Sequence, residues 1–170
     1  MSEPQRPHLI KKDSLSISGE SLIELIRGVH QKGASLRFLA RGISMSPFIK
    51  DGDIITVAPA HQSPVSLGDI VAFIHPENGK PVVHRIVEIS GSSFVIRGDN
   101  LQKADGLIPD SNILGIVTKV ERNSRNIYIG LGFEKYLIAA LSGRSLLTSP
   151  IHALYVIKKT IWRGLEKVFL

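Results

Sequence analysis

The feature that most constrains this chain is a succession of short apolar runs between Leu36 and Val120, each cut off by Gly, Pro, Asn or Asp. The runs are LRFLA, DIITVAP, DIVAFI, PVVHRIVEI, SFVIRG and ILGIVTKV. They are rich in β-branched residues and too short for ordinary helices, so they read as strands. In one of them Val83, Arg85, Val87 and Ile89 alternate with Val82, His84, Ile86 and Glu88, the period of a strand with two different faces. The segments Lys50-Asp51-Gly52-Asp53, Glu77-Asn78-Gly79-Lys80 and Ser90-Gly91-Ser92 read as turns. Asn78-Gly79 between two such runs predicts a hairpin, because both residue types accept positive φ. Strands this short and this evenly spaced predict a mainly β fold, a coiled antiparallel sheet or barrel.

Helical texture flanks the β region. From Glu20 to Gln31 the residues Leu22, Ile23, Leu25, Ile26 and Val29 recur at helical spacing and Gly33 follows as a stop, which predicts an amphipathic helix. Residues 133–170 read as helical in two pieces, broken around Ser149-Pro150. In the second piece Leu154, Ile157, Ile161, Leu165 and Val168 line one face, with Lys158, Arg163, Glu166 and Lys167 largely elsewhere, so the segment is basic and amphipathic. The expected organisation is a flexible arm over 1–18, a catalytic-type domain over 19–125 that includes the first helix, and a helical extension over 126–170.

Composition narrows the chemistry. A chain of 170 residues suits one main domain with a hydrophobic core. It has no cysteine, which excludes disulfides and thiolate metal sites. His61, His75 and His84 contain no close pair at ligand spacing, so no metal or other cofactor is expected, and His61 and His75 read as loop residues. Lys and Arg outnumber Asp and Glu by 21 to 15, giving a net charge of +6 that favours acidic surfaces. No basic strand interleaved with aromatics and no zinc spacing supports nucleic acid, which is not an expected partner. The polar start MSEPQRPHLIKKDSLSISGE holds no apolar run of signal-peptide length, and no window offers the roughly 18 apolar residues of a membrane span. The expected location is therefore cytoplasmic, with the carboxy-terminal helices suited to lie peripherally on an anionic inner membrane face. The equal alternative is that their apolar faces pack on the sheet; Trp162 and Phe169 tilt slightly towards a surface or partner.

Three local patterns could carry chemistry. In Gly42-Ile43-Ser44-Met45-Ser46-Pro47 a serine follows a glycine turn and precedes a proline, an arrangement that exposes a hydroxyl and frees backbone N–H groups for an oxyanion. The ordinary role of such a serine is to hydrogen-bond its own turn. His84, in Val82-Val83-His84-Arg85-Ile86-Val87, supplies a base that titrates near neutrality, although a histidine in an apolar strand is commonly a satisfied core residue. Asp99, in Arg97-Gly98-Asp99-Asn100, and Asp105 beyond it could each orient an imidazole or merely cap a turn.

Taken in order, Gly-x-Ser-Met-x-Pro, Gly52-Asp53, Gly68-Asp-Ile-Val-x-Phe73, Val-His-Arg-Ile-Val and Gly-Asp-Asn resemble the signal peptidase I superfamily of serine peptidases. The likeness spans about Leu36 to Val120 and implies the coiled β fold shared by signal peptidases and self-cleaving repressors. Bacterial-type members and the repressors use a lysine base; the endoplasmic-reticulum and archaeal enzymes carry histidine within Val-His-Arg. His84 thus implies the Ser/His subtype, with Ser44 as nucleophile and His84 as base. The same subtype places its acid seven residues past the glycine of Gly-Asp-Asn, which is Asp105, with Asp99 supporting the site. Gly42, Met45 and Pro47 complete the nucleophile motif. Several relatives carry an oxyanion-binding serine at the position of Gly42; Ser46 is the candidate substitute.

The resemblance further implies cleavage after small residues in a peptide bound as an extended strand. Relatives carry a membrane-spanning helix before the nucleophile, whereas Glu20–Gln31 contains Glu24, Arg27 and His30 and cannot span. That points to a specific peptide or protein substrate on the inner side. The competing class is a non-catalytic or self-cleaving regulatory module of the repressor type. Such proteins place a DNA-binding helix-turn-helix first, and only one clear helix precedes Leu36 here.

Overall fold

The computed structural model describes residues 18–62 and 64–143. The expected arm, apart from Ser18, and the basic helix expected around Leu154–Val168 lie outside the described residues.

The first helix, α1 (Gly19–Gln31), starts where Ser18 accepts a hydrogen bond from the Ser21 N–H, with Glu20 in its first turn. Both features favour a helix amino terminus. It buries Ile23, Ile26 and His30. The strands follow as β1 (Leu36–Leu39), β2 (Ile54–Ala58), β3 (Ile70–Ile74), β4 (Pro81–Ser90), β5 (Ser93–Arg97), β6 (Gly106–Pro109), β7 (Ile113–Arg122) and β8 (Arg125–Ile127). They form one antiparallel sheet in the order β1-β2-β7-β3-β4-β5-β6, with β8 paired to β7. The sheet stays open, with β1 and β6 at its ends, so of the two expected forms the coiled sheet is the one adopted and the barrel is not. Pairing slips at Thr56/Val57, Ala72/Phe73 and Ile86/Glu88. Bulges of this kind sharpen the local twist, which lets one sheet coil over its own core.

Strand β3 shows why its sequence is apolar throughout. Ile70 and Ala72 enter one core cluster with Ile23, Ile26, Met45, Ile55 and Val117. Val71 and Phe73 enter a second cluster with Ile86, Phe94, Ile96 and Ile108. A central strand buried on both faces has no polar side to alternate with. The Asn78-Gly79 turn joins β3 to β4 as expected, closed by the bond from the His75 N–H to the Lys80 carbonyl.

The second helix, α2 (Glu134–Gly143), lies against β4 and buries Ile138, Ala139 and Ser142. The Glu134 carboxylate accepts from the Gly130 and Gly132 N–H groups ahead of it. Among the described residues no helix is long and apolar enough to cross a membrane.

Candidate active site

Three separate stretches of chain converge at one end of β4. Ser44 sits in the loop between β1 and β2. The base of that loop is closed by bonds from the Ala40 N–H to the Asp53 carbonyl (2.7 Å) and from the Gly52 N–H to the Ala40 carbonyl (2.9 Å). Within it Met45 and Ile49 are buried, 4% exposed each, and anchor the turn to the core. Pro47 follows on the surface, after a cis Ser46-Pro47 bond. Gly42 adopts φ +94°, left-handed backbone that an L side chain tolerates poorly. Its N–H donates to Asp51.

His84 lies on β4, opposite Val71 of β3, and is 4% exposed. Its Nε2 is 2.9 Å from the Ser44 Oγ and its Nδ1 is 2.7 Å from an Asp105 carboxylate oxygen. A carboxylate only accepts, so Nδ1 carries the proton and Nε2 turns its lone pair to the serine hydroxyl, which donates. Asp105 is held in the segment between β5 and β6 by the bond from its N–H to the Ile96 carbonyl. Of the two acids named from the sequence, it is Asp105 that touches His84. Among the described residues none accepts a hydrogen bond from the Ser44 N–H.

Asp99 has a different partner. Its carboxylate receives Nε and Nη2 of Arg85, both at 2.8 Å, and neither side chain is exposed. Burial pushes the Asp99 carboxyl above its ordinary value, against the opposing pull of Arg85 and His84. The remaining Arg85 nitrogen donates to the Gly68 and Gly130 carbonyls, and its guanidinium lies 5.4 Å from the centre of the Phe48 ring. The residue after the histidine thus ties β4 to the nucleophile loop and to the segment before α2.

Sequence reasoning missed two neighbours. His75, read as a loop residue, does lie just past β3, but its Nε2 comes within 4.0 Å of the second Asp105 oxygen. Phe73 packs against both His75 and His84. Asn100 holds the backbone on either side of the nucleophile: its N–H donates to the Ser44 carbonyl (2.7 Å) and its Nδ2 to the Ile43 carbonyl (3.2 Å). Its place inside Gly-Asp-Asn was the only local sign. His61 lies elsewhere, lining a cavity of about 480 Å³ with His30. Among the described residues no group of His, Cys, Asp or Glu is placed to hold a metal ion. Ser46 donates its N–H to the Ile43 carbonyl.

Beside Ser44 opens a cavity of about 330 Å³, lined mainly by apolar side chains that include Leu22 of α1, Phe38 of β1, Met45 and Val83 of β4. Among the described residues, both bordering strands have unpaired backbone. β1 is an end of the sheet, and β5 pairs with β4 only from Arg85 onward, leaving Pro81 to Val83 open on that side.

A hydroxyl, an imidazole and a carboxylate in one hydrogen-bonded line, next to an apolar cleft with free strand edges, define a class of serine peptidase-like site. The particular family follows from comparison with known sequences: residues 18–120 match the Peptidase S24-like family, and the chain belongs to it. That family contains both peptidases and self-cleaving repressor-type modules. No curated protein matches the chain closely enough to add a narrower assignment.

Proposed function

We propose that this protein is a serine endopeptidase that cuts other peptides after small residues. Ser44 Oγ attacks the scissile carbonyl while His84 Nε2 takes its proton. Asp105 holds the His84 tautomer and stabilises the imidazolium that forms. The Ser44 N–H stabilises the oxyanion. His84 then returns the proton to the leaving amine, and water, activated by the same imidazole, hydrolyses the acyl-enzyme. The observation that carries this reading is the unbroken line from Ser44 through His84 to Asp105.

An extended peptide can add its backbone to the free edges of β1 and of Pro81–Val83. Side chains two apart on such a strand point the same way, so a pair of them faces the apolar cavity. Among the described residues none fills that cavity.

The direct test is covalent trapping. A peptidyl phosphonate ester ending in an alanine analogue is incubated with the protein, and the adduct is sought by intact mass and peptide mapping. An adduct on Ser44 that is absent in Ser44→Ala and slowed in His84→Ala supports the proposal. A wild-type protein that gains no mass while a control peptidase is labelled sinks it.

A further inference from the structure

We infer that Asn100 is a positioning residue for the oxyanion donor of the proposed peptidase; the inference rests on that reading of Ser44. The Asn100 side-chain amide donates to the Ile43 carbonyl at 3.2 Å. That carbonyl belongs to the same peptide group as the Ser44 N–H. In a trans peptide the C=O and N–H point in opposite directions from one rigid plane, so gripping the carbonyl on one side aims the N–H on the other. The only cis bond among the described residues is Ser46-Pro47, so the Ile43-Ser44 peptide obeys this geometry. The Ser46 N–H reaches the same carbonyl at 3.1 Å, giving it two donors. Hydrogen bonds accepted by a peptide C=O also polarise its N–H towards stronger donation.

The neighbouring peptide is held from the same residue. The Asn100 N–H donates to the Ser44 carbonyl at 2.7 Å. Close approach is built into the turn: a Cβ on Gly98 would stand 2.8 Å from that same Ser44 oxygen. Segment 98–100 is therefore a template pressed against the nucleophile's backbone, on the carbonyl side of the Ile43-Ser44 peptide.

A second observation separates this role from simple turn-making. Asn100 Oδ1 is buried and finds no hydrogen-bond partner among the described residues. Rotating the amide to satisfy it would set oxygen against the Ile43 carbonyl oxygen, so the Nδ2 bond fixes the orientation and Oδ1 goes unmet. A buried acceptor left unmet is a cost that an apolar side chain would avoid. The donor bond to Ile43 is what that cost retains.

The probes are acetyl-Ala-Ala-boroalanine, whose boron becomes tetrahedral on a serine Oγ, and acetyl-Ala-Ala-alaninamide, which does not react. Affinity for each is measured in wild type, Asn100→Ala and Asn100→Asp, with Ser44→Ala as control and thermal melts to verify folding. Both Asn100 variants keep the backbone bond to Ser44; Asn100→Asp keeps the side-chain shape but has no donor. The inference expects boronate affinity to fall by about 10- to 100-fold in both variants, with amide affinity unchanged. On any substrate the protein cleaves, kcat falls and KM holds. Equal loss for both probes means that Asn100 is only structural, and no loss, or loss in Asn100→Ala alone, overturns the inference while leaving the peptidase reading intact. No Ser44 adduct in wild type overturns the reading and the inference together.

Discussion

The buried bidentate pair between Arg85 and Asp99 locks β4 to the Gly-Asp-Asn turn directly beside the histidine that faces Ser44. Because Arg85 also donates to two backbone carbonyls and stacks near Phe48, one side chain fixes the relative placement of several loops around the site. Removing the cation strands a carboxylate without exposure. Arg85→Met is expected to destabilise the fold by about 3–5 kcal/mol, the usual penalty for breaking a buried pair from one side. Urea unfolding monitored by far-UV circular dichroism measures it. The double variant Arg85→Met/Asp99→Leu, which removes both charges, should recover part of the loss.

Asp105 differs from Asp99 in touching the imidazole itself. Asp105→Asn keeps the shape but offers Nδ1 an amide, which can stabilise the wrong tautomer. In a comparable triad that change costs about 10⁴ in kcat, and a fall of about 10³–10⁴ with little change in KM is the expectation for steady-state cleavage kinetics.

Acid stability should depend on Asp53. Burial alone would raise its carboxyl, but hydrogen bonds from Arg122 and the Lys50 N–H, with the Arg122 charge, bring it below its ordinary value. The Arg122 contacts are 2.8 and 2.7 Å. A carboxyl lowered in the folded state contributes stability that is fully present above its unfolded value, about pH 4, and is lost as pH falls through the folded value. Asp99, raised by burial, has the opposite sign, so the comparison must be between variants that share it. The expected result is a melting temperature that falls less between about pH 4 and pH 2 in Asp53→Asn than in wild type. Parallel curves would show that the pair does not govern this window.

The carboxy-terminal end of α1 is docked by His30, whose ring nitrogens lie 3.0 Å from the Leu114 carbonyl and 3.1 Å from the Val57 carbonyl. Gly115 makes room for it: a Cβ there would sit 2.7 Å from His30 Cε1 and 2.4 Å from the Ala58 oxygen. His30→Leu should cost about 1–3 kcal/mol by leaving a buried carbonyl without its imidazole donor. Gly115→Ala should cost a similar amount, about 1–3 kcal/mol, by overpacking. Because Leu22 of the same helix lines the cavity beside Ser44, both changes should raise KM more than they lower kcat. Denaturant melts and substrate kinetics on the same preparations test the link.

Local pattern carried most of the sheet. Each run bounded by Gly, Pro, Asn or Asp became a strand, and α1 begins one residue before the expected Glu20. β6 escaped because Gly106–Pro109 is short and ends in proline, and β8 because Arg125–Ile127 is three residues and mostly polar. What holds β8 in place is pairing with β7 across a turn where Asn123 and Ser124 take positive φ, a weak signal in sequence. At the site, Ser44 and His84 stood out through their motifs, and the resemblance marked Asp105. His75, Asn100 and the Arg122–Asp53 pair did not stand out, since each depends on contacts between segments far apart in the chain. Spacing along a strand reveals which face a residue occupies, but not which loop from across the sheet will meet it.

Hydrolysis of peptide bonds by Ser44, activated by His84, can be tested in one experiment. The most direct measurement is to incubate the purified protein with a peptide library containing Ala-x-Ala sequences and to map cleavage by mass spectrometry beside Ser44→Ala and His84→Ala. Cuts after small residues are expected from wild type, and none above background from either variant once folding is verified. Cleavage that persists in Ser44→Ala, or a wild-type protein that cuts nothing in the library, would contradict this role of Ser44.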